Sequence, residues 1–458
     1  MPRLDSNALL RILFDDLNVP AGAALAVAYS GGRDSQVLLH ALSVARRERG
    51  FALTALHFDH GLSPQSAHWT AQCAALCREW RITFVSTRQA LARAPRQSLE
   101  AQARQSRYAW FKRVVEPGQI LLTAHHADDH AETVMLNLLR GGGLESLAGI
   151  PRQRILSAAK CTRVVRPLLA YPGEALAEYA RRHGLRWIDD PANRSPQFDR
   201  NYLHASIIPL LRARWPGVVA SMAKSAEHCR EAAACLDRIA GQRLEHCRAD
   251  AKRGVFCLAP PLDAQLMKPL GRARIIHRLR HWIHRHGRRS PSSGQLATLF
   301  RQVFEAQSGS AGMRWDGAEV RYFNGHLYLT GPLGDGPAPG AALNWDLRER
   351  DLGANGLRVE VKSGISGGLD PRRLRGRKVQ LVWRRGGERM TLPGRKHRSQ
   401  LKKLFQQNAV PPWERRALPL LTVDGEVAWA HGVGPSAACC CGKDEPGLGL
   451  RFAAGGDG

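Results

Sequence analysis

No C-x-x-C pair occurs among the ten cysteines of this 458-residue chain. Cys73 and Cys77 stand four apart and Cys439 to Cys441 adjoin. Neither spacing is that of a paired zinc site, so reduced, unligated thiols are expected. No apolar run approaches the ~20 residues needed to span a bilayer. The stretch MPRLDSNALLRILFDDL carries acids and a helical period and does not read as a signal peptide. A cytoplasmic protein with no membrane partner is the expectation. Acidic residues are scarce, 40 against 67 Lys and Arg, which leaves a net charge of +27. That excess points to a polyanionic partner, because each Lys or Arg docked on a phosphate releases counterions. No internal repeat is found. The GxxxxGK(S/T) phosphate loop is also missing.

What is present first is an alternation of elements. Ala24–Ser30, Phe51–Asp59, Ile82–Thr87 and Gln119–His126 read as buried strands, and the stretches between them carry helical periodicity. Strand–helix alternation implies an α/β fold with a doubly wound parallel sheet, which binds ligands at the carboxyl ends of its strands. RWPGVVA near Arg214 reads as a boundary. Beyond it come two long helical stretches, the second very basic (Arg272 to Arg289), and a hairpin turning on Asn-Gly at Asn324. Gly331–Leu343 reads as a linker. The expected organisation is a catalytic domain over 1–215, a mainly helical domain over 216–335 and a small α+β domain over 343–458, flexible from about 436.

Three polar clusters end predicted strands. In Ser30-Gly31-Gly32-Arg33-Asp34-Ser35 the glycines let backbone N–H groups close on an anion, the serines add hydroxyls, and the following helix points its positive end at the same place. Asp34 beside phosphate calls for a Mg²⁺ ion between them. Asp59 and His60, with His57, end the second strand, where adenine or ribose contacts are expected. His125, His126, Asp128, Asp129 and Glu132 follow the fourth. Close carboxylates there can hold a cation, pair with an ammonium or accept a proton, or simply cap a helix.

The hexapeptide resembles the SGGxDS loop of PP-loop ATP pyrophosphatases (adenine nucleotide alpha hydrolase-like). That resemblance implies a loop holding the β,γ-pyrophosphate, with ATP cleaved between α and β. Together with HFDHGLS, LEAQAR…RY (Leu99 to Tyr108), HHADDHAET, Arg140 to Gly143, Arg166 to Leu169 and DDPANRSPQFDRN, the chain resembles the tRNA(Ile)-lysidine synthetases almost throughout. The implied reaction adenylates the 2-carbonyl oxygen of a wobble cytidine in a CAU anticodon of tRNA(Ile). The ε-amine of free L-lysine then displaces AMP.

By that resemblance ATP contacts fall to Ser30, Gly31, Gly32, Arg33, Asp34, Ser35, Asp59, His60 and His125. Asp34, Asp128, Asp129 and Glu132 are the candidate catalytic groups, the last three also binding lysine. Arg104, Arg107, Arg140, Arg194, Arg200, Asn201, Lys402 and Lys403 are the candidate tRNA contacts. The chain departs from the family pattern at Ser63, Ala192 and His204. The oligomeric state is open, a homodimer being one option. A tRNA thiolase of the same superfamily, a non-catalytic tRNA-binding protein and a hydrolytic ATPase are the rival readings.

Overall fold

The computed structural model describes residues 3–90, 99–190, 199–247, 254–306, 311–331, 333, 336–353, 356–442 and 444–454. It divides into two compact units, 1–235 and 236–458. Among the described residues no helix is long and apolar enough to cross a membrane.

The first unit begins with helix α1 (Ser6–Arg11) and continues as β1 (Leu25–Ala28), α2 (Arg33–Arg49), β2 (Leu53–Asp59), α3 (Ser66–Glu79), β3 (Thr83–Arg88), α4 (Leu99–Val114), β4 (Ile120–Leu122) and α5 (Ala127–Leu139). The four expected strands are thus all present, parallel, in the order β3-β2-β1-β4. Two further strands extend the sheet beyond β4: β6 (Thr162–Val165), parallel to it, and β5 (Gln153–Ser157), antiparallel at the edge. One face of the sheet packs Leu9, Leu13, Leu38, Leu42 and Leu176 into a core, and the other packs Trp110, Phe111 and Val164. The order matters for function. β1 is followed in sequence by β2 on one side and flanked by β4 on the other, so the chain reverses direction across the sheet at the β1–β4 pair. In such sheets that reversal opens a crevice at the carboxyl ends.

In the second unit, the basic helix Arg272–Arg285 turns Ile275, Leu279, Trp282 and Ile283 inward, onto a core shared with Ser293–Phe300 and an antiparallel sheet. That sheet contains the expected hairpin, Ala318–Phe323 with His326–Thr330. Asn324 (φ 48°) and Gly325 (φ 82°) both take the left-handed conformation its two-residue turn demands. A second core gathers Trp345, Leu381, Leu421, Trp429 and Phe452 between antiparallel sheets. The described residues from 436 to 454, expected as part of a flexible tail, are built into this core instead. Pro446–Ala454 pairs along Leu357–Ser366, and Cys439 and Cys441 are buried. Its glycines and prolines obscured an alternation, Leu448, Leu450 and Phe452, whose members all pack against the core. All ten cysteines are free thiols.

Candidate functional site

The reversal point carries two of the predicted clusters. After β1 the chain turns through Ser30–Gly32. Gly31 has a φ of +84°, and a Cβ there would lie 2.6 Å from Ile188 Cδ1 and 2.8 Å from Cys73 Sγ, so both conformation and space require glycine. Ser35 Oγ lies 3.0 Å from Ser30 Oγ and donates to Gly32 O at 2.9 Å. The loop is braced further by Ile188, whose N–H donates to Gly31 O, and by Gln36, which donates to Arg186 O. The first turn of α2 therefore presents a hydroxyl-lined, fixed turn at a helix N-terminus, a form that suits phosphate oxygens. Helix α2 starts at Arg33, inside the hexapeptide and not after it.

Asp34 faces β4. Its Oδ1 accepts from Arg33 Nε at 2.8 Å, its Oδ2 lies 3.5 Å from His126 Nε2, and its side chain is one-third exposed. His126 is the hub of the site and was not singled out by the sequence beyond its place in the motif. Its ring is buried with Asp128 3.4 Å from Nδ1 and Asp129 3.6 Å from Nε2. Burial alone would lower its pKa, yet the hydrogen bonds to Asp128 and Asp34, with the charge of Asp129, raise it to about 10. The ring is then a cation with both nitrogens protonated. Nδ1 also lies 3.3 Å from the Asp128 N–H. A protonated nitrogen cannot accept that bond, so the contact with the Asp128 carboxylate is the one that stands. The signal that could have found His126 is a His doublet between a strand end and an acidic helix start.

Each expected carboxylate now has distinct surroundings. Asp128 accepts from the Gly173 N–H at 2.7 Å and pairs with Arg212 and His126. Burial would raise its pKa, but these partners hold it below the carboxylate range. Asp34 is likewise held low by His126 and Arg33 against the opposing effect of burial. Asp129 accepts from the His126 N–H at 2.9 Å, which makes it part of the α5 cap, and from Arg200 Nη2 at 2.9 Å. Glu132 is buried between Arg200 Nε at 2.9 Å and His204 Nδ1 at 2.7 Å. Bonding to Glu132 raises the His204 pKa. The acidic cluster is therefore an array of four carboxylates interleaved with five basic groups, Arg33, His126, Arg200, His204 and Arg212. Asp34 and Asp129 keep solvent-facing area, while Asp128 and Glu132 are sealed.

Other predicted residues are spread around this centre. Asp59 is buried at the end of β2, accepts from the Gly61 N–H at 2.7 Å and lies 3.5 Å from Arg88. His60 packs 4.6 Å from the Phe58 ring, and burial with the charge of Arg107 lowers its pKa to about 4. His125 is neutral, with its pKa lowered to about 3 by burial, and Nδ1 lies 2.8 Å from Thr123 Oγ1. Arg200, expected among the tRNA contacts, sits in the acid cluster. Asn201 follows it on the same short helix, Asp199–Tyr202. Arg104 stacks over Tyr108, and Arg140 pairs with Asp199 at 3.0 Å on the surface. Ser63 Oγ accepts from the Gln65 N–H at 3.2 Å. Lys402 and Lys403 are exposed on the helix Leu401–Gln407 of the second unit, whose other face buries Leu404 and Phe405. Arg194 and Ala192 lie outside the described residues.

The donor set fits a Mg²⁺ ion of one kind only. Among the described residues no group of three or more His, Cys, Asp and Glu could hold a metal. Mg²⁺ commonly takes one or two carboxylates and completes its shell with phosphate oxygens and water. Asp34, part-exposed at the phosphate loop, is the carboxylate placed for that.

Family models match three stretches of the chain: a PP-loop domain over residues 6–211, a TilS substrate binding domain over 262–328 and a TilS substrate C-terminal domain over 379–452. A curated tRNA(Ile)-lysidine synthase of Methylococcus capsulatus is 36% identical over 413 residues, covering 90% of this chain and 92% of that protein. That of Coxiella burnetii is 37% identical over 401 residues, covering 86% and 85%. That of Escherichia coli O157:H7 is 36% identical over 398 residues, covering 86% and 88%.

Proposed function

The chain belongs to the tRNA(Ile)-lysidine synthase family, and from that premise we propose that it joins free L-lysine to the wobble cytidine of tRNA(Ile) at the expense of ATP. The cytosine 2-carbonyl oxygen attacks the α-phosphorus, and pyrophosphate leaves. The lysine ε-nitrogen then bonds to C2 as the C2–oxygen bond to AMP breaks, and two protons are lost from the amine. One observation carries the reading. The turn suited to pyrophosphate and the carboxylates suited to an ammonium meet across the β1–β4 reversal, joined by the His126–Asp34 contact.

Ser30 to Ser35 cradle the pyrophosphate as a leaving group, which accounts for a phosphate loop without its usual lysine. Asp59, His60 and His125 border the nucleoside side. Asp34 is the residue that would hold Mg²⁺, which offsets charge developing on the phosphates. Lysine enters as an ammonium with a reference pKa near ~10.4, so an anion must bind it and a base must take protons. Asp129, part-exposed, receives the ammonium. Glu132 and Asp128 complete that group from behind, the first by setting Arg200 and His204, the second by setting His126 and Arg212. Arg104, Arg107, Arg140, Arg194, Asn201, Lys402 and Lys403 hold the RNA backbone, which positions without specifying. The three-part division at 215 and 335–343, action in the cytoplasm and a homodimeric option belong to the same proposal.

The test is incorporation of labelled lysine into tRNA with a CAU anticodon. Label should enter RNA only with ATP present, one AMP and one pyrophosphate appearing per lysine. Active, folded protein that leaves the RNA unlabelled would sink the reading. AMP release without lysine would point to the hydrolytic alternative.

A further inference from the structure

Beside His125, whose pKa the charges of Arg166 and Arg104 help to lower, lies a knot of cations with no carboxylate among the described side chains. Arg104 and Tyr108 are one turn apart on α4. Arg154 projects from the edge strand β5, and Arg166 follows β6 at its carboxyl end. The Arg104 guanidinium carbon is 5.0 Å and that of Arg154 4.4 Å from the centre of the Tyr108 ring. Arg166 is only 2% exposed, its Nη1 donates to Pro151 O at 2.7 Å, and its buried Nε has no hydrogen-bond partner. Burial would raise the Tyr108 pKa, but the charges of Arg104, Arg154 and Arg166 bring it below its ordinary value. Stacking on Tyr108 explains how two of the arginines are held. It does not explain why three guanidinium groups converge with no carboxylate between them among the described residues, or why a buried donor is left open there. The open donor on buried Arg166 is costly until a partner completes it, and the exposed Arg104 and Arg154 beside it favour an anion as that partner.

We propose that Arg104, Arg154 and Arg166, arranged on Tyr108, form a second anion site that takes a phosphodiester of the RNA substrate, separate from the phosphate turn that serves ATP. The inference rests on the functional reading above and adds a place for the RNA beside it. Sheet order argues for RNA over ATP. The phosphate turn ends β1, and this knot ends β6, two strand spacings or about 10 Å away, with β4 and its His125 and His126 between them. A nucleotide anchored at β1 and an RNA strand anchored at β6 would bring their reacting groups together over β4.

Arg154 is exposed on an edge strand, so Arg154→Ala is expected to fold, with its circular dichroism and melting unchanged. It should raise the Kd for tRNA roughly ten-fold and lower the slope of log K against log salt by about 1, leaving the Kd for ATP as it was. Arg154→Lys should recover part of the affinity and the full slope. An unchanged tRNA Kd and slope in Arg154→Ala overturns the proposal. A loss confined to ATP binding also overturns it, by assigning the knot to the nucleotide. Wild-type protein that binds tRNA with the predicted dependence on Arg154 but never incorporates lysine would spare this site and remove the lysidine reading alone.

Discussion

The two units bury charge in opposite ways. In the first, Asp59, His126, Asp128, Glu132 and Arg166 are all buried, many of them at the carboxyl edge of one sheet. In the second, among the described residues, only Arg278, Asp370 and Glu414 are buried charged groups, and each is isolated from the others. Glu414 shows the difference. It accepts from the Val255 N–H at 2.7 Å and lies 3.4 Å from His431, bracing a short segment whose Phe256 enters the core of the unit. Charge in the first unit is assembled at the carboxyl ends of the strands, where sheets of this order take their ligands. Charge in the second is a brace inside and a basic coat outside. Burial by itself therefore does not mark a functional group. What marks it is burial in company, at the carboxyl ends of such strands.

The sharpest way to break that contrast is Asp34→Ala. Lysine-dependent AMP formation should fall by about a hundred- to a thousand-fold, as for loss of a group acting on developing phosphate charge. Stability should move by less than about 1 kcal/mol, because the Arg33 pair is part-exposed and buried His126 keeps Asp128 and Asp129 as partners. Retention of tRNA on a filter should be spared. Substantial residual turnover would remove Asp34 from the phosphate chemistry. Glu414→Ala should do the reverse. It leaves the Val255 N–H unpaired and should cost the second unit about 1–3 kcal/mol, read as an earlier denaturant midpoint, while ATP binding by the first unit is retained. Equal loss of ATP binding would mean that Glu414 is no mere brace.

The third contrast is with acid. Burial lowers His40, His60 and His130 to about 4 and His125 to about 3, all in the first unit. A histidine depressed in the folded state favours folding fully above its unfolded value near ~6.5, and that contribution is lost as pH falls toward the folded value. Hydrogen-exchange protection of β1 and α2 should therefore decline between pH 6.5 and 4, before that of Val379–Val382 in the second unit. Parallel decline in both units would erase the distinction.

Much of this was legible from residues near one another in the chain. The four parallel strands, the phosphate turn, the acidic helix start and the Asn-Gly hairpin all rest on local patterns, and local patterns survive without knowledge of the fold. The β5–β6 extension did not. β5 is an edge strand with Ile155 outward and 71% exposed, so it lacks the apolar alternation of a half-buried strand. Nor could spacing reveal that Arg212 would reach Asp128, or that Arg200 and His204 would close on Glu132, since those partners are far apart in sequence. His204, visible only as a departure from the family pattern, turns out to touch the cluster directly. The same distance hid the convergence of Arg104, Arg154 and Arg166.

The long pairing of Leu357–Ser366 with Pro446–Ala454 also sets a timetable. At ~5–20 residues per second of synthesis, the earlier strand waits on the order of ten seconds for its mate to be made. Throughout that interval its edge is an open template for any extended chain nearby. In the first unit β1 waits a similar time for β4, but it has β2 on its other side soon after it is made, and that unit is complete while the second is still being synthesised. A cell making this protein thus holds a finished half beside an unfinished one, and it is the basic half that needs shelter until the last strand arrives.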